Sequence, residues 1–516
     1  MSATADLLLV NARVLTLDPA RPSAEAIAIE GNRILALGTN AELDALNGVG
    51  TVTIDCDGMA VLPGFNDAHC HPLAMAASRL SVDCSPLNVR TIPQLQDQIR
   101  RRANSTPPGQ WIRATGYNEF YLAEQRHPNR RDLDQATAKH PVRLTHRSGH
   151  ACVLNSWAMA VLGIGTETPE PPGAIIDRDL ETGEPSGLLF EMNTYVEEHI
   201  PPLSDQDLRH GMEMVNRDLL QHGVTSLQDA GWTDGHGRWE TLALFRKNGV
   251  LLPRASMMIG PKEVKDFRET HRATGEGADR SIGLGAIKIV LSTATGSLAP
   301  PQEELNELVY RAHVSGLQVA LHAIEESEVE AAVSSLEYAL SQNPARRHRH
   351  RVEHCSVCPP NLTQRLGAVQ AIVATQPSFV YYSGERYLAT VSPRDMEHLY
   401  PIGSLVREGV LVAAGSDAPV APIQPLAGIC AAVTRAAQSG QILLPGEAIT
   451  VEQAIEMHTL NGAYASFEEN EKGRLAPGLL ADLVVLDRNP ADTASEDIKD
   501  IEVVLTIIDG RVAWEG

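Results

Sequence analysis

Short apolar runs separated by turn residues occupy both ends of the chain. Near the N-terminus they lie in DLLLVNARVLTLD, AIAIEGNRILALG and VTIDCDGMAVLPG. Near the C-terminus RLAPGLLADLVVLDRNP and IEVVLTIIDGRVAWEG repeat the pattern, with Asp509-Gly510 as a hairpin turn. Runs rich in Leu and β-branched residues between Gly, Asn and Asp predict short strands. We therefore expect residues 1–61 and 471–516 to form one composite β-sandwich.

The central part of the chain alternates short apolar runs with helical patterns. The spacing in EELNELVYRAH, EESEVEAAVSSLEYAL and PLAGICAAVTRAA predicts amphipathic helices. Strands alternating with helices are typical of an α/β fold, and eight candidate strands suggest a (β/α)₈ TIM-like barrel over residues 62–470. The candidate strands are VLPGF (61–65), VRLTH (142–146), VTSLQDA (224–230), GAIKIVL (285–291), LQVALHA (317–323), RVEH (351–354), AIVATQP (371–377) and VLVAAGSDA (410–418).

The interval from about residue 75 to about residue 220 is too long for one βα connection. It is rich in Pro and Gly near 163–187. We expect an inserted subdomain here, in a place where it could cover the barrel mouth. A chain of 516 residues also exceeds the size of a single core, which agrees with one large domain and a smaller module.

Charge and cysteine content narrow the class of protein. The formal charge of −22, from 43 Lys and Arg against 65 Asp and Glu, repels nucleic acid and anionic membranes. The N-terminus lacks a signal pattern, and no segment has the roughly 18 apolar residues of a membrane helix. Seven scattered cysteines favour reduced thiols. We expect a cytoplasmic protein that acts on a small-molecule substrate, with no nucleic-acid or membrane partner.

Polar residues follow the apolar stretch in seven of the candidate strands. Active-site residues of a (β/α)₈ barrel lie at the C-terminal ends of its strands, so these side chains are expected to converge at one mouth. They are His69, His71, Asp229, Lys288, His322, His354, Gln376 and Asp417.

The pair His69 and His71 is the strongest metal signal. Residues i and i+2 of a strand face the same side, although two histidines in an ordinary turn would look the same by themselves. Together with His322, His354 and Asp417 they predict a metal site. Imidazole and carboxylate ligands suit Zn²⁺, Mn²⁺, Fe²⁺ or Co²⁺.

This pattern resembles the amidohydrolase superfamily, with HxH on the first strand, His on the fifth and sixth, and Asp on the eighth. Within it the chain is similar to the branch that includes N-substituted formamide deformylase and YtcJ-type hydrolases. The resemblance covers nearly the whole chain and allows a homodimer, since dimers are common among relatives. The matching segments are PGFNDAHCHP, HRSGHACVLNS (146–156), GLLFEM (187–192), HGVTSLQDAG (222–231), AIKIVLSTATGSL (286–298) and GRLAPGLLADLVVLD.

The resemblance implies a role for Lys288. Binuclear members carry a lysine there whose ε-amine is carboxylated by CO₂ and bridges two metals. The ligand set would then be His69, His71, Lys288, His322, His354 and Asp417, holding one or two divalent ions, zinc being the expected metal. The alternative is that Lys288 is a buried cation paired with a carboxylate such as Asp229.

Glu325 departs from the hydrolase pattern. The chain has HAIEE where YtcJ-like sequences usually have HAIGD. A Glu at this position resembles mononuclear deaminases, in which it moves protons to a heterocycle. A solvated acid at a helix N-terminus is the other interpretation.

Further residues are candidates for substrate contact. Each has a structural alternative, either packing or a surface position. They are His150, Glu191, Trp232, Glu325, Gln376, Tyr381 and Tyr382. The basic run RRHRHR (346–351) is expected to be a solvated face at the opposite end of the barrel.

These residues predict a metal-dependent hydrolase that cleaves the C–N bond of a small N-substituted amide or formamide through a metal-bound hydroxide. Catalysis is assigned to Asp417, which would transfer protons, to His354, which would polarise the carbonyl, and to Lys288. Two alternatives stay open. One is a mononuclear hydrolytic deaminase of an aminated heterocycle, and the other is a non-catalytic metal-binding regulatory protein.

Overall fold

The computed structural model describes residues 4–171, 173–267, 282–294, 296–344 and 347–516. It divides into two compact units. The barrel unit comprises Met1–His71, Asn216–Thr293 and Leu298–Gly516, and the insert unit comprises Pro72–Val215 and Ala294–Ser297. Among the described residues, no helix has both the length and the apolar character needed to cross a membrane.

The strands, in chain order, are β1 (Leu7–Val10), β2 (Arg13–Leu15), β3 (Ser23–Ala24), β4 (Ala26–Glu30), β5 (Arg33–Gly38), β6 (Val52–Asp55), β7 (Ala60–Pro63), β8 (Phe65–Cys70), β9 (Val82–Asp83), β10 (Ile112–Tyr117), β11 (Val142–His146), β12 (Ala151–Leu154), β13 (Ile175–Arg178), β14 (Pro185–Phe190), β15 (Val224–Asp229), β16 (Arg254–Ile259), β17 (Ile282–Val290), β18 (Val319–Ala323), β19 (Arg351–His354), β20 (Ile372–Thr375), β21 (Leu411–Ala414), β22 (Leu483–Leu486), β23 (Val503–Ile508) and β24 (Arg511–Glu515).

The helices are α1 (Asn40–Leu43), α2 (Pro72–Leu80), α3 (Ile92–Ser105), α4 (Arg130–Ala136), α5 (Ser156–Leu162), α6 (Asn193–His199), α7 (Asp205–Gln221), α8 (His236–Lys247), α9 (Gln302–Val314), α10 (Glu326–Gln342), α11 (Pro360–Ala368), α12 (Ser378–Thr390), α13 (Pro393–Met396), α14 (Ile402–Arg407), α15 (Pro425–Thr434), α16 (Val451–Met457) and α17 (Leu460–Ala465). Short 3₁₀ helices lie at Asp44–Leu46, Glu119–Tyr121, Pro445–Glu447, Pro490–Asp492 and Ser495–Asp500.

Strands from both ends of the chain form two sheets in the barrel unit. One has the order β5-β4-β1-β6 and the other β24-β23-β22-β7-β2-β3. The N-terminal strand β7 pairs antiparallel with the C-terminal strand β22, with Val61 opposite Val485. Leu9 and Ile27 of the first sheet share one buried core with Val61 and Val485 of the second. The two sheets therefore pack as a sandwich built from both termini.

Eight parallel strands form the barrel, in the order β21-β20-β19-β18-β17-β16-β15-β8. The first and last strands meet at two backbone hydrogen bonds. The Asp417 amide donates to the His69 carbonyl at 2.7 Å, and the His71 amide donates to the Ala418 carbonyl at 2.9 Å. The strand order and these bonds give the expected (β/α)₈ barrel.

Gly64 marks the point where the chain leaves the sandwich and enters the barrel. The Gly64 amide donates to the carbonyl of Asp482, just before β22 of the sandwich. The amide of the next residue, Phe65, donates to the carbonyl of Gly223, just before β15 of the barrel. A Cβ at position 64 would lie only 2.2 Å from the side chain of Thr225. The apolar run VLPGF is therefore two strands in different sheets rather than the single predicted strand.

The prediction that VRLTH (142–146) is a barrel strand is wrong. These residues form β11, which lies between β10 and β12 in the insert sheet. The barrel strand that takes its place is β16, RASMMI, which pairs with β15 and β17. Both VRLTH and RASMMI are short runs rich in apolar residues, and local spacing does not show which sheet each of them joins.

The insert unit contains a six-stranded mixed sheet in the order β13-β14-β12-β11-β10-β9. Along β12, Ala151 and Val153 face a core that also contains residues of α3 and α4. Cys152 and Leu154 face a second core with residues of α5 and α6. Because successive residues of a strand point to opposite faces, the sheet is covered by helices on both sides.

The prediction of a solvated face at RRHRHR is wrong for most of the described run, since Arg347 is exposed, His348 and Arg349 are half-buried, and the last two residues are buried. His350 and Arg351 are each only 1% exposed. The Arg349 guanidinium pairs with Glu469 and lies 3.7 Å from the centroid of the Tyr464 ring. Arg346 lies outside the described residues. Histidine and arginine can be buried here because each finds partners, which a count of charges along the sequence does not show.

His350 belongs to a directed chain of hydrogen bonds. The Val319 amide donates to His350 Nδ1 at 3.1 Å, so His350 carries its proton on Nε2 and donates it to His313 Nδ1 at 2.9 Å. His313 Nε2 in turn donates to the Asn343 carbonyl at 2.7 Å. Each ring is neutral with one donor and one acceptor in use. Burial and the neighbouring imidazoles lower the pKa of His350 to about 2.

This chain predicts a loss of stability in acid. Above pH ~6.5, His350 is neutral in both states. Between that pH and the folded pKa of about 2, the unfolded chain binds a proton that the folded chain excludes, so stability falls as the pH falls. For each pH unit in this range, the free energy of unfolding should fall by up to about 1.4 kcal/mol less in the His350→Gln variant than in wild type. The measurement is urea unfolding at pH 7.5, 6.0 and 5.0. Gln can accept from Val319 and donate to His313.

The exposed His210 provides the control, because the His210→Gln variant should keep the wild-type dependence on pH. Identical pH dependence in His350→Gln and wild type would contradict the proposed role of the buried imidazole.

Candidate functional site

Three side chains at the mouth of the barrel bring ligand atoms close together. His69 lies near the end of β8, His71 follows it, and Asp417 follows β21. Asp417 Oδ1 lies 3.1 Å from His71 Nε2 and 3.6 Å from His69 Nε2. One ligand atom from each of the three residues lies within 4.8 Å of the others, a spacing that a single metal ion can join.

The other predicted ligands extend this group across the mouth. The ring centroids of His69 and His354 are 4.8 Å apart, and those of His354 and His322 are 4.4 Å apart. Lys288 Nζ lies 3.4 Å from His69 Nε2. The structure therefore brings the six residues together as one continuous cluster, within which His69, His71 and Asp417 form the compact group.

Two of these residues have a backbone conformation that residues other than glycine rarely adopt. His354 has φ 67° and Asp417 has φ 56°. For residues other than glycine, positive φ is unfavourable and is retained mainly where the surrounding structure enforces it, often at functional sites. At each position the chain turns out of its strand and leaves the side chain in the cluster.

His69 is held by a charged partner that is not among the predicted site residues. Its Nδ1 lies 2.5 Å from Glu353 Oε2, and a carboxylate accepts, so Nδ1 carries the proton and donates it. Glu353 also accepts from Arg351, from Nε at 2.7 Å and from Nη2 at 2.9 Å. The lone pair of His69 is therefore on Nε2, the atom that faces Asp417. A signal was present in RVEH, because two charged residues two apart in an apolar strand share a face.

His354 is oriented in the same way by a neutral group. Its Nδ1 donates to Gln376 Oε1 at 2.7 Å, which leaves Nε2 with the lone pair. Gln376 is fully buried, and its Nε2 has no hydrogen-bond partner among the described residues. The predicted substrate residue Gln376 thus contacts a predicted ligand directly.

Asp67 supports the loop that carries Asp417. Ser416 donates to Asp67 through its backbone amide at 2.9 Å and through its hydroxyl at 2.6 Å. The His69 amide donates to the same carboxyl group at 3.2 Å. Asp67 therefore links β8 to the loop after β21. Asp67 is absent from the predicted site residues, although it lies two residues before His69 in the same motif.

Burial sets the charge states in the cluster. Burial, together with the nearby Lys288 and His354, lowers the pKa of His69 well below its usual value. Burial also lowers the pKa of Lys288 to about 8, against the opposite effect of Glu353 and Asp417. Burial would raise the pKa of Asp417, but the hydrogen bond from His71 and the nearby imidazoles hold it well below its usual range. The site thus offers the neutral imidazole of His69 beside the ionised carboxylate of Asp417, donors that fit a divalent cation.

The hydrogen-bond contact of Lys288 is with His69 rather than with Asp229. Within the described residues no ion pair joins Lys288 to Asp229. Burial and the Asp234 carboxylate raise the pKa of Asp229 well above its usual value. The alternative interpretation of Lys288, as a buried cation near a carboxylate, stays open, because Glu353, Asp417 and Asp229 all oppose the lowering of its pKa by burial.

The remaining candidates in the barrel unit have more ordinary surroundings. Trp232, just after β15, is half-exposed. Tyr381 and Tyr382 lie on α12 and pack against a buried apolar cluster, and the Tyr382 hydroxyl donates to Gln424 Oε1. Glu325 is exposed and is the N-cap residue of α10. In this structure Glu325 occupies the position of an acid at a helix N-terminus.

His150 and Glu191 lie in the insert unit and contact each other. His150 Nδ1 is 3.0 Å from Glu191 Oε1. The contact is possible because β12 and β14 are antiparallel neighbours, and the Glu191 amide donates to the His150 carbonyl at 2.8 Å. Two residues from separate motifs are thus one pair.

A model of the amidohydrolase family matches residues 52–513. The chain belongs to the amidohydrolase family. It is 29% identical to an N-substituted formamide deformylase of Arthrobacter pascens, over 100% of this chain and 99% of that protein. It is 26% identical to YtcJ of Bacillus subtilis (strain 168), over 95% of this chain and 96% of that protein. These matches confirm the predicted superfamily and branch.

A solved structure agrees with the fold. An uncharacterized metal-dependent hydrolase from Pyrococcus furiosus, 23% identical, has a TM-score of 0.73 and covers 94% of this chain and 100% of its own. The predicted α/β barrel class is thereby confirmed. Family membership and the histidine–carboxylate group together identify a metal-dependent amidohydrolase that uses a divalent metal.

Proposed function

We propose that this amidohydrolase hydrolyses the C–N bond of a small, linear N-substituted amide, a formamide being the simplest member of that class. The observation that carries the proposal is the ionised Asp417 carboxylate at 3.1 Å from His71 Nε2 and 3.6 Å from His69 Nε2. The full-length similarity to an N-substituted formamide deformylase supports this choice of substrate class.

His69, His71 and Asp417 would hold one divalent ion, and Lys288, His322 and His354 would hold a second beside it. Zinc suits both sets because each offers imidazoles and an oxygen donor. In the first set the oxygen donor is Asp417, and in the second set it would be a carboxylated Lys288. When bound, the metal would supply a water of lowered pKa and polarise the carbonyl of the amide.

Asp417 would move the proton. It is a buried carboxylate beside His69 and His71, placed to take a proton from the attacking water and to return it to the leaving nitrogen. The return step matters because an amide nitrogen is a poor leaving group unless it is protonated. His354, held through Nδ1 by Gln376, would present Nε2 to the carbonyl side of the substrate or to the second metal.

A deaminase is the weaker candidate. That alternative depends on Glu325 as the group that moves protons to a ring nitrogen. Glu325 is exposed and serves as the N-cap of α10, and its backbone amide donates to Glu328 at 3.1 Å. A purely regulatory protein is also disfavoured, because the predicted ligands and the proposed acid–base residue lie together.

The test is turnover of metal-loaded protein on N-alkyl and N-aryl formamides and acetamides, compared with esters, cyclic imides and aminated heterocycles. We expect an amine and a carboxylate in equal amounts from at least one amide. Release of ammonia from a heterocycle with no turnover of any amide would favour the deaminase. No turnover of any compound by protein with full metal content would favour the regulatory protein.

The Asp417→Asn variant tests the acid–base role. Asn has nearly the same shape but cannot accept the proton, so kcat should fall by about 10²–10⁴-fold in preparations matched for metal content. Metal content, measured by elemental analysis, separates this effect from loss of a ligand. Turnover near the wild-type value with metal retained would remove Asp417 from the proposed role.

The Lys288→Ala variant tests the proposed carbamate bridge. The Lys288 amine is buried at 2% exposure, and burial lowers its pKa to about 8, which increases the fraction of neutral amine that can react with CO₂. Wild-type protein purified with bicarbonate should contain about two metals per chain, and the variant one or none. The matched control is Lys472→Ala, which removes another buried lysine, one that donates to Ser226 Oγ at 2.7 Å. One metal in both wild type and Lys288→Ala would make the lysine structural.

A further inference from the structure

A chain of buried polar groups runs through the barrel interior to His69. Gln228 accepts from Arg351 Nη1, and Arg351 donates to Glu353 through Nε and Nη2. Glu353 then accepts from His69 Nδ1 at 2.5 Å. Four side chains from three different strands are thus connected, and the chain ends on a predicted metal ligand.

This arrangement is costly as a structural element. Arg351 is 1% exposed and Glu353 is 0% exposed, and removing two charges from water costs several kcal/mol per ion before their attraction is counted. Apolar residues of similar volume often stabilise a core equally well or better. Arg351 does bind the Ala68 carbonyl at 2.8 Å, but one backbone acceptor does not require a full ion pair. The pair therefore points to a role beyond packing.

We propose that Glu353 is a positioning residue for the metal site and that Arg351 holds its carboxylate in place. Glu353 fixes the proton of His69 on Nδ1, so that the lone pair on Nε2 faces the metal. The negative charge of Glu353 also makes His69 a stronger electron-pair donor to the metal. Carboxylate partners of ligand histidines act in this way in metal sites generally. The proposal rests on His69 being a ligand, as in the proposed function, and does not depend on which amide is the substrate.

The two ring partners in the cluster differ in charge. His69 donates to an ionised carboxylate, whereas His354 donates to the neutral amide of Gln376 at 2.7 Å. A charged partner increases the electron density that an imidazole gives to a metal more than a neutral partner does. His69 is therefore the more strongly donating of the two ligands.

The first measurement is the dissociation constant of Co²⁺ for metal-free protein, by competition with a chromophoric chelator. Glu353→Gln should weaken binding by about 10–100-fold, because Gln cannot accept from His69 and Arg351 together without placing its NH₂ against an Arg351 donor. The matched control is Glu469→Gln, which breaks the Arg349–Glu469 ion pair away from the mouth and should leave Co²⁺ binding unchanged. Equal Co²⁺ affinity in the two variants would overturn the proposal.

A pair of double variants keeps the test valid if Glu353→Gln alone does not fold. Arg351→Met with Glu353→Gln removes the charges and leaves one acceptor for His69, whereas Arg351→Met with Glu353→Leu leaves none. The first should bind Co²⁺ at least about 10-fold more tightly than the second. Equal affinities would show that the acceptor on residue 353 does not matter.

The second measurement uses wild-type protein and needs no substrate. In protein labelled with ¹⁵N-histidine, the His69 signal, assigned by its loss in His69→Gln, should show a proton on Nδ1 in the metal-free state and metal on Nε2 after loading. A proton on Nε2 in the metal-free state would contradict the proposed role of Glu353. Loss of amide turnover with normal Co²⁺ binding would instead concern the proposed function only.

Discussion

The junction between the first and last barrel strands is the constraint on which the site depends. The backbone bond from Asp417 to His69, at 2.7 Å, closes the barrel and at the same time sets two ligand candidates side by side. The strands can approach this closely because residue 415 is glycine, where a Cβ would lie 2.6 Å from the backbone nitrogen of His69. Closure of the barrel and assembly of the cluster are thus one event.

Asp67 reinforces that junction from inside. It receives both the amide and the hydroxyl of Ser416, so the loop that ends in Asp417 cannot move without breaking two hydrogen bonds to β8. A loop held in this way can maintain Asp417 at its unfavourable φ of 56°. The position of the Asp417 carboxylate is therefore fixed by the backbone and by Asp67 before any ligand binds.

The sequence predicted the parts of this site that follow from periodicity and topology. A polar residue at the end of an apolar strand is visible in the sequence, and a parallel barrel brings such residues together, so His69, His322, His354 and Asp417 could be found. The pattern of apolar runs alone did not separate VRLTH, which belongs to the insert sheet, from β16, which is a barrel strand. Which sheet a strand joins depends on long-range pairing, which local spacing does not contain.

Buried polar groups near the two ends of β19 show why the pattern of charges in the sequence did not predict which residues are buried. Before the strand, His313 and His350 use every donor and acceptor on neighbouring groups, so these histidines are complete as structure. At the end of the strand, His354 donates through Nδ1 to Gln376, and on β8, which is not a neighbour of β19, His69 donates through Nδ1 to Glu353. Both mouth histidines keep Nε2 for the cluster. A buried histidine whose second nitrogen faces other ligand candidates, as His69 Nε2 faces Lys288 and Asp417, differs physically from one whose two nitrogens both bond to groups of the core.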